Sequence, residues 1–282
     1  MPELPEVETI RKQLESQIVN LSIEDVEIYN LRSIRRHDSA KEVIESIKNS
    51  YITKIGRRGK YLLLYLQATS SFVVYNTVII HLGMSGQLLI QETGSEFKKH
   101  THLKMQFNNN KFLCFVDPRT FGEVFLDNCE DGFCIKLQNL GLDPITQNFT
   151  QDDFYKMISG KKTKLKNLLM DQSFLCGIGN IYSDEILFES GLRYDRSPNS
   201  LSEDEVKSLY ISIDKVLKKA IDKGGSSLRD EQYRDLFGEI GQFQNYHKVH
   251  ARQGKPCCKC GQAIIKTKVN SRSCYFCPNC QN

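Results

Sequence analysis

The chain begins Met1-Pro2-Glu3-Leu4-Pro5-Glu6-Val7-Glu8-Thr9, and this stretch supports two readings. The first concerns the backbone. Pro5 lacks an N–H, which the first turn of a helix does not need, and Val7, Ile10, Leu14 and Ile18 follow at helical spacing. A helix with one apolar face therefore precedes the rest of the fold. The second concerns chemistry. Removal of Met1 would leave Pro2 with a free secondary amine, and an α-amino group titrates roughly 2 units below a lysine side chain. Such an amine is an available nucleophile near neutral pH. Attack on an aldehyde-level carbon gives an iminium whose fixed positive charge serves as an electron sink. Glu3 stands beside it as a proton carrier.

Composition narrows the class. The 282 residues, 40% hydrophobic and 26% charged, leave room for two domains with ordinary cores. No apolar run approaches the roughly 18 residues of a membrane span. Glu3, Glu6 and Glu8 are foreign to a signal or transit peptide, so a cytosolic protein is expected. The net charge of +4 is unevenly placed. Residues 240–282 carry seven Lys or Arg and no Asp or Glu, and the rest of the chain holds 31 basic and 34 acidic groups. A basic tail on a near-neutral body points to a polyanion partner.

Six of the ten cysteines lie in the last 26 residues. Cys257-Cys258-Lys259-Cys260 and Cys277-Pro278-Asn279-Cys280 are two Cys-x-x-Cys knuckles with sixteen residues between them. Four thiolates at this spacing match one tetrahedral, structural Zn²⁺ on a β-hairpin. A disulfide framework is disfavoured in a chain read as cytosolic. Cys258 and Cys274 are spare thiols nearby, and Cys274-Tyr275-Phe276-Cys277 is a third Cys-x-x-Cys. Only Cys257, Cys260, Cys277 and Cys280 give two knuckles of the same form, so they are the expected metal ligands.

Residues 22–135 are rich in short β-type runs, at 23–28, 52–55, 61–66, 72–82, 103–107, 112–116 and 123–126. Turn signals such as Asn108-Asn109-Asn110 separate them, which predicts an all-β sandwich or barrel. Residues 139–146 read as a linker. Helical patterns follow at 152–158, 164–169, 180–190 and 202–223.

With these pieces in order, the chain resembles the formamidopyrimidine-DNA glycosylase family of bifunctional base-excision repair enzymes. The motifs that carry the resemblance begin with Met1–Thr9, Arg57-Arg58-Gly59-Lys60-Tyr61-Leu62 and His81-Leu82-Gly83-Met84-Ser85-Gly86. Asp117-Pro118-Arg119, Gly177-Ile178-Gly179-Asn180-Ile181-Tyr182-Ser183-Asp184-Glu185 and the terminal knuckles complete the set. The resemblance implies an α+β multidomain fold. A β-sandwich catalytic domain with its N-terminal helix would span 1–138, a helix–two-turn–helix domain 139–246, and a zinc-finger hairpin 247–282. It also implies a monomer acting on double-stranded DNA that contains oxidised bases or abasic sites, with no membrane association.

By that resemblance Pro2 is the nucleophile, Glu3 its proton partner, Lys60 the lysine of β-elimination and Arg272 the arginine of δ-elimination. A fixed, always-charged fork suits phosphate. Met84, Arg119 and Phe121 match the trio that fills the void left by a flipped base. Taken alone, Met84 and Phe121 read as core residues, but the glycines around them argue for exposed turns. His81, His100, Lys161, Lys162, Asn180 and Lys266 match DNA-contact positions. Alone, the histidines read as satisfied core groups and the lysines as a solvated face. The Leu4 and Val7 form of the start, and the aromatic loop 224–244, match the branch acting on 8-oxoguanine and formamidopyrimidines.

Thr120 departs from the family pattern, which often has a second basic residue after Arg119. His250-Ala251 stands where Tyr-Gly is commoner, and Cys274 where threonine is usual, which would expose the hairpin to oxidation. Two rival readings remain. One is an endonuclease VIII-like enzyme for oxidised pyrimidines, separable by lesion competition. The other is a non-catalytic damaged-DNA-binding zinc protein, separable by retention of Met1.

Overall fold

The computed structural model describes residues 1–68, 75–130, 133–228 and 232–282. They form two compact units, 1–139 with 224–242, and 140–223 with 243–282.

The first unit starts with α1 (Leu4–Ile18), β1 (Ile23–Ile28) and α2 (Ala40–Ile47), then β2 (Ser50–Arg58), β3 (Tyr61–Ala68), β4 (Thr77–His81) and β5 (Gln87–Glu92). It continues through β6 (Thr101–Phe107), β7 (Lys111–Val116), β8 (Glu123–Asp127) and the short hairpin β9 (Cys129–Glu130) and β10 (Phe133–Cys134). The expected strand 72–82 is realised as β4, and its residues 72–74 lie outside the described residues. Two antiparallel sheets result, ordered β2-β3-β4-β8 and β1-β6-β7-β5. Alternation along the strands sends one set of side chains inward. Leu62, Leu64, Val78, Ile80 and Val124 of the first sheet meet Leu88, Leu103, Met105, Leu113 and Phe115 of the second in one core. Val7, Ile10, Leu14 and Ile18 of α1 join it, each fully buried. Ser39 caps α2 through the N–H of Glu42, and Val43 and Ile47 close the core from that side. Cys129 and Cys134, paired across β9 and β10, are disulfide-bonded.

The segment 224–242, read from sequence with the helices, is part of this unit. The Ser226 N–H donates to Glu6 Oε1 at 2.7 Å, and the Leu236 N–H to Gln13 Oε1 at 3.0 Å. Tyr233 and Leu236 are buried in the sandwich core.

The second unit contains α3 (Gln151–Ile158), α4 (Leu165–Met170), α5 (Asn180–Ser190), α6 (Glu203–Asp222) and the hairpin β11 (Ile265–Val269) and β12 (Arg272–Phe276). Thr150 and Ser202 begin α3 and α6 with capping boxes, and Gly191, at φ 76°, ends α5. The hairpin packs with the helices in one unit. Phe188 of α5, Val249, Cys257, Ile264 and Cys277 share a buried cluster. Two carboxylates of α5 tie down the chain that leads to the hairpin. Glu185 accepts the N–H groups of Lys248, Val249 and His250 at 2.8–3.0 Å. Asp184 takes Lys166 Nζ at 2.5 Å and faces His250 Nδ1 at 2.9 Å. No described helix is long and apolar enough to cross a membrane.

Candidate active site

Pro2 and Glu3 are buried immediately ahead of α1. Glu3 is the N-cap, and its side chain accepts from the N3 backbone while its own N–H donates to Glu6 Oε2 at 2.8 Å. A carboxylate at a helix N-terminus is favoured by the exposed N–H groups there. The N-cap is therefore the same residue that the sequence marks as a candidate proton carrier. Glu6 received no role from the sequence, although Glu3-x-x-Glu6 has the spacing of a capping box.

Glu8, one turn further along α1, accepts Arg57 Nε at 2.8 Å, and both side chains are buried. Arg57 Nη1 also donates to the Gly59 carbonyl at 3.0 Å. This pair links α1 to the two-residue turn between β2 and β3, where Arg58 pairs with Tyr61. Gly59 opens that turn at φ 57°, a conformation glycine adopts without penalty. Lys60, 8% exposed, is the second turn residue.

Three void-filling candidates sit on two loops of the same unit. Met84, on the β4–β5 loop, is 39% exposed, and Phe121, on the β7–β8 loop, is 45% exposed. The Arg119 guanidinium carbon lies 5.1 Å from the Phe121 ring centre. Both apolar side chains thus face solvent on turns rather than the core. His81 ends β4 and stacks on Tyr61 at 4.6 Å. Burial pushes its imidazole down to about 4; Glu123 opposes the shift, and Lys60, Arg35 and Arg36 add to it. His100 is exposed with φ 68°, and its carbonyl accepts the Asp117 N–H at 3.0 Å.

In the second unit Asn180 opens α5 behind Gly179, at the end of the turn that follows α4. Its Oδ1 is buried without a hydrogen-bond partner among the described residues. Lys161 and Lys162 are exposed ahead of α4. Asn270 and Ser271, at φ 46° and 64°, make the two-residue turn of the terminal hairpin, and Arg272 follows at once. Arg272 and Lys266 are both exposed.

The sulfurs of Cys257, Cys260, Cys277 and Cys280 lie within 4.8 Å of one another. Cys257 and Cys280 are 3.9 Å apart and Cys260 and Cys277 3.5 Å, close to the ~3.8 Å edge of a tetrahedron with ~2.3 Å metal–sulfur bonds. The cluster fits a metal ion, and neither Cys258 nor Cys274 belongs to it. Cys274 is fully buried, and burial together with the Asp184 carboxylate pushes its thiol up to about 12. The expected sensitivity to oxidation at this position is therefore not met, because reactivity requires an accessible thiolate.

The chain is similar to known proteins along its whole length. Residues 1–124 match the formamidopyrimidine-DNA glycosylase N-terminal domain model, and residues 140–232 the formamidopyrimidine-DNA glycosylase H2TH domain model. The formamidopyrimidine-DNA glycosylase of Heliobacterium modesticaldum is 40% identical over 285 residues, covering 100% of both chains. A Lactococcus lactis Fpg mutant in complex with Fapy-dG-containing DNA superposes with a TM-score of 0.87 at 31% identity, covering 100% of both chains. A MutM complex with DNA containing carbocyclic 8-oxo-G gives 0.85 at 32% identity, again over 100% of both.

Proposed function

Because the chain belongs to the formamidopyrimidine-DNA glycosylase family, we propose that Pro2, once Met1 is removed, is its nucleophile and Glu3 its proton carrier. The protein is a DNA glycosylase for oxidised purines in base excision repair, with the AP lyase activity of its family. The observation that carries the residue assignment is the reciprocal hold of Glu3 and Glu6 at the start of α1, which fixes a carboxylate next to Pro2.

In this reading the Pro2 lone pair bonds to C1′ as the glycosidic bond breaks, its electrons leaving with the base. Opening of the sugar ring, with the proton relayed by Glu3, yields the iminium. Loss of a 2′ proton then expels the 3′-phosphate, and a second elimination expels the 5′-phosphate. Lys60 assists the first elimination and Arg272 the second by supporting charge on the departing phosphates. Met84, Arg119 and Phe121 fill the space left by the extruded base. His81, His100, Lys161, Lys162, Asn180 and Lys266 contact the DNA. Cys257, Cys260, Cys277 and Cys280 would hold one structural Zn²⁺, which keeps the hairpin folded and performs no chemistry because the four thiolates close its coordination. The site of action is chromosomal DNA in the cytoplasm.

Borohydride trapping on a duplex carrying 8-oxoguanine opposite cytosine tests the reading. A covalent protein–DNA band that Pro2→Gly abolishes is expected. A wild-type protein with Met1 removed that binds the duplex yet gives no band would overturn it.

A further inference from the structure

The loops that carry Met84 and Phe121 meet around one carboxylate. Asp117 is fully buried. Its charge is held by donors from the two loops. Oδ1 accepts the Ser85 hydroxyl at 2.6 Å and the Arg119 N–H at 3.3 Å, and Oδ2 accepts the Gly122 N–H at 2.7 Å. Ser85 Oγ in turn accepts the Arg119 N–H at 3.2 Å. A buried charge without these donors would be costly, so the carboxylate strongly favours the arrangement that supplies them.

The two backbones also touch. Gly83 has φ 62°, and a Cβ there would meet Gly122 N at 2.5 Å and Phe121 C at 2.6 Å. From the other side Arg35 donates to the carbonyls of Gly122 at 2.7 Å and Phe121 at 3.3 Å, and Arg32 to that of Thr120 at 3.3 Å. Arg35 and Arg36 are themselves fixed by Glu123. The backbone beneath the three exposed tips is thus pinned within and without.

We infer that Asp117 and Ser85 are positioning residues that join Met84, Arg119 and Phe121 into one preformed wedge. The inference rests on the reading of those three as void fillers. Loops ordered before binding do not pay for ordering at each insertion, so the wedge opposes re-entry of the extruded base at lower cost. The benefit arises only where a base must leave a stacked, paired duplex.

The experiment compares single-turnover cleavage of a paired 8-oxoguanine·cytosine duplex with that of a single strand bearing an abasic site, which needs no extrusion. Ser85→Ala removes one hydrogen bond to a buried charge and is expected to slow the paired duplex on the order of tenfold, with the single strand unchanged. Arg35→Ala, which leaves the buried carboxylate intact, should show the same selectivity. Equal losses on both substrates, or no loss on the duplex, would overturn the inference. A wild-type protein that cut neither substrate would overturn the catalytic reading, and the inference with it.

Discussion

The Glu3 N–H donates to Glu6 Oε2 at 2.8 Å, while Glu6 Oε1 takes the Ser226 N–H at 2.7 Å. One buried carboxylate therefore spans the start of α1 and a segment 220 residues away in sequence. Glu6→Ala would strand both donors, each at a cost of about 1–3 kcal/mol. Urea unfolding should show the loss, and borohydride trapping per folded molecule should slow because Glu3 is no longer fixed. Trapping at the wild-type rate would mean that Glu6 serves the fold alone.

Burial depresses His81 to about 4 and His247 to about 3, against an ordinary imidazole near 6.5. Below pH 6.5 the unfolded chain takes up protons that the folded chain refuses. The stabilisation is full above pH 6.5 and is lost as pH falls toward 4, by about 1.4 kcal/mol per unit for each histidine. Denaturation midpoints across this range should fall, and His247→Gln should flatten the slope. An unchanged slope in that variant would show that His247 protonates freely in the fold.

Ala251 sits at φ 57°, a region disfavoured for residues with a Cβ. Ala251→Gly is expected to stabilise the protein by about 0.5–1 kcal/mol. Thermal unfolding checks this, and a lower midpoint would show that the alanine methyl contributes more packing than strain.

Reduced protein should carry about one zinc per chain, and Cys257→Ser should lose it. With the hairpin released, duplex binding is expected to weaken on the order of tenfold, since Arg272 and Lys266 are no longer presented. Metal analysis with binding titrations decides the matter, and tight binding by metal-free protein would contradict it.

Arg272→Ala should lower the dependence of log affinity on log salt by about 1, the signature of one lost phosphate contact. Titrations at several salt concentrations measure it. An unaltered slope would place Arg272 off the DNA.

The sequence revealed what is local. Pro5 with Val7, Ile10, Leu14 and Ile18 predicted α1, and all four apolar residues are fully buried. The runs 23–28 and 112–116 became β1 and β7, and the knuckle cysteines came together. By contrast, β5 has Leu88, Leu89 and Ile90 in succession, so it gives no alternation to read. The eight residues of α2 lay among β-type runs, although Ser39 and Glu42 were a legible cap. Residues 224–242 could not be assigned locally, because their place depends on partners such as Glu6 and Gln13 at the far end of the chain. Asp117 belongs to the Asp117-Pro118-Arg119 motif, but the sequence does not show that it accepts from Ser85, 32 residues earlier.

The distribution of the ten cysteines has a practical consequence. Cys129 and Cys134 are bonded, Cys257, Cys260, Cys277 and Cys280 form the cluster, and Cys114, Cys176 and Cys274 are buried. Cys258 alone is exposed and uncommitted among the described residues. With metal in place, a maleimide dye has a single address on the native protein, beside the finger. Fluorescence from that address would report the finger's approach to DNA without any engineered thiol.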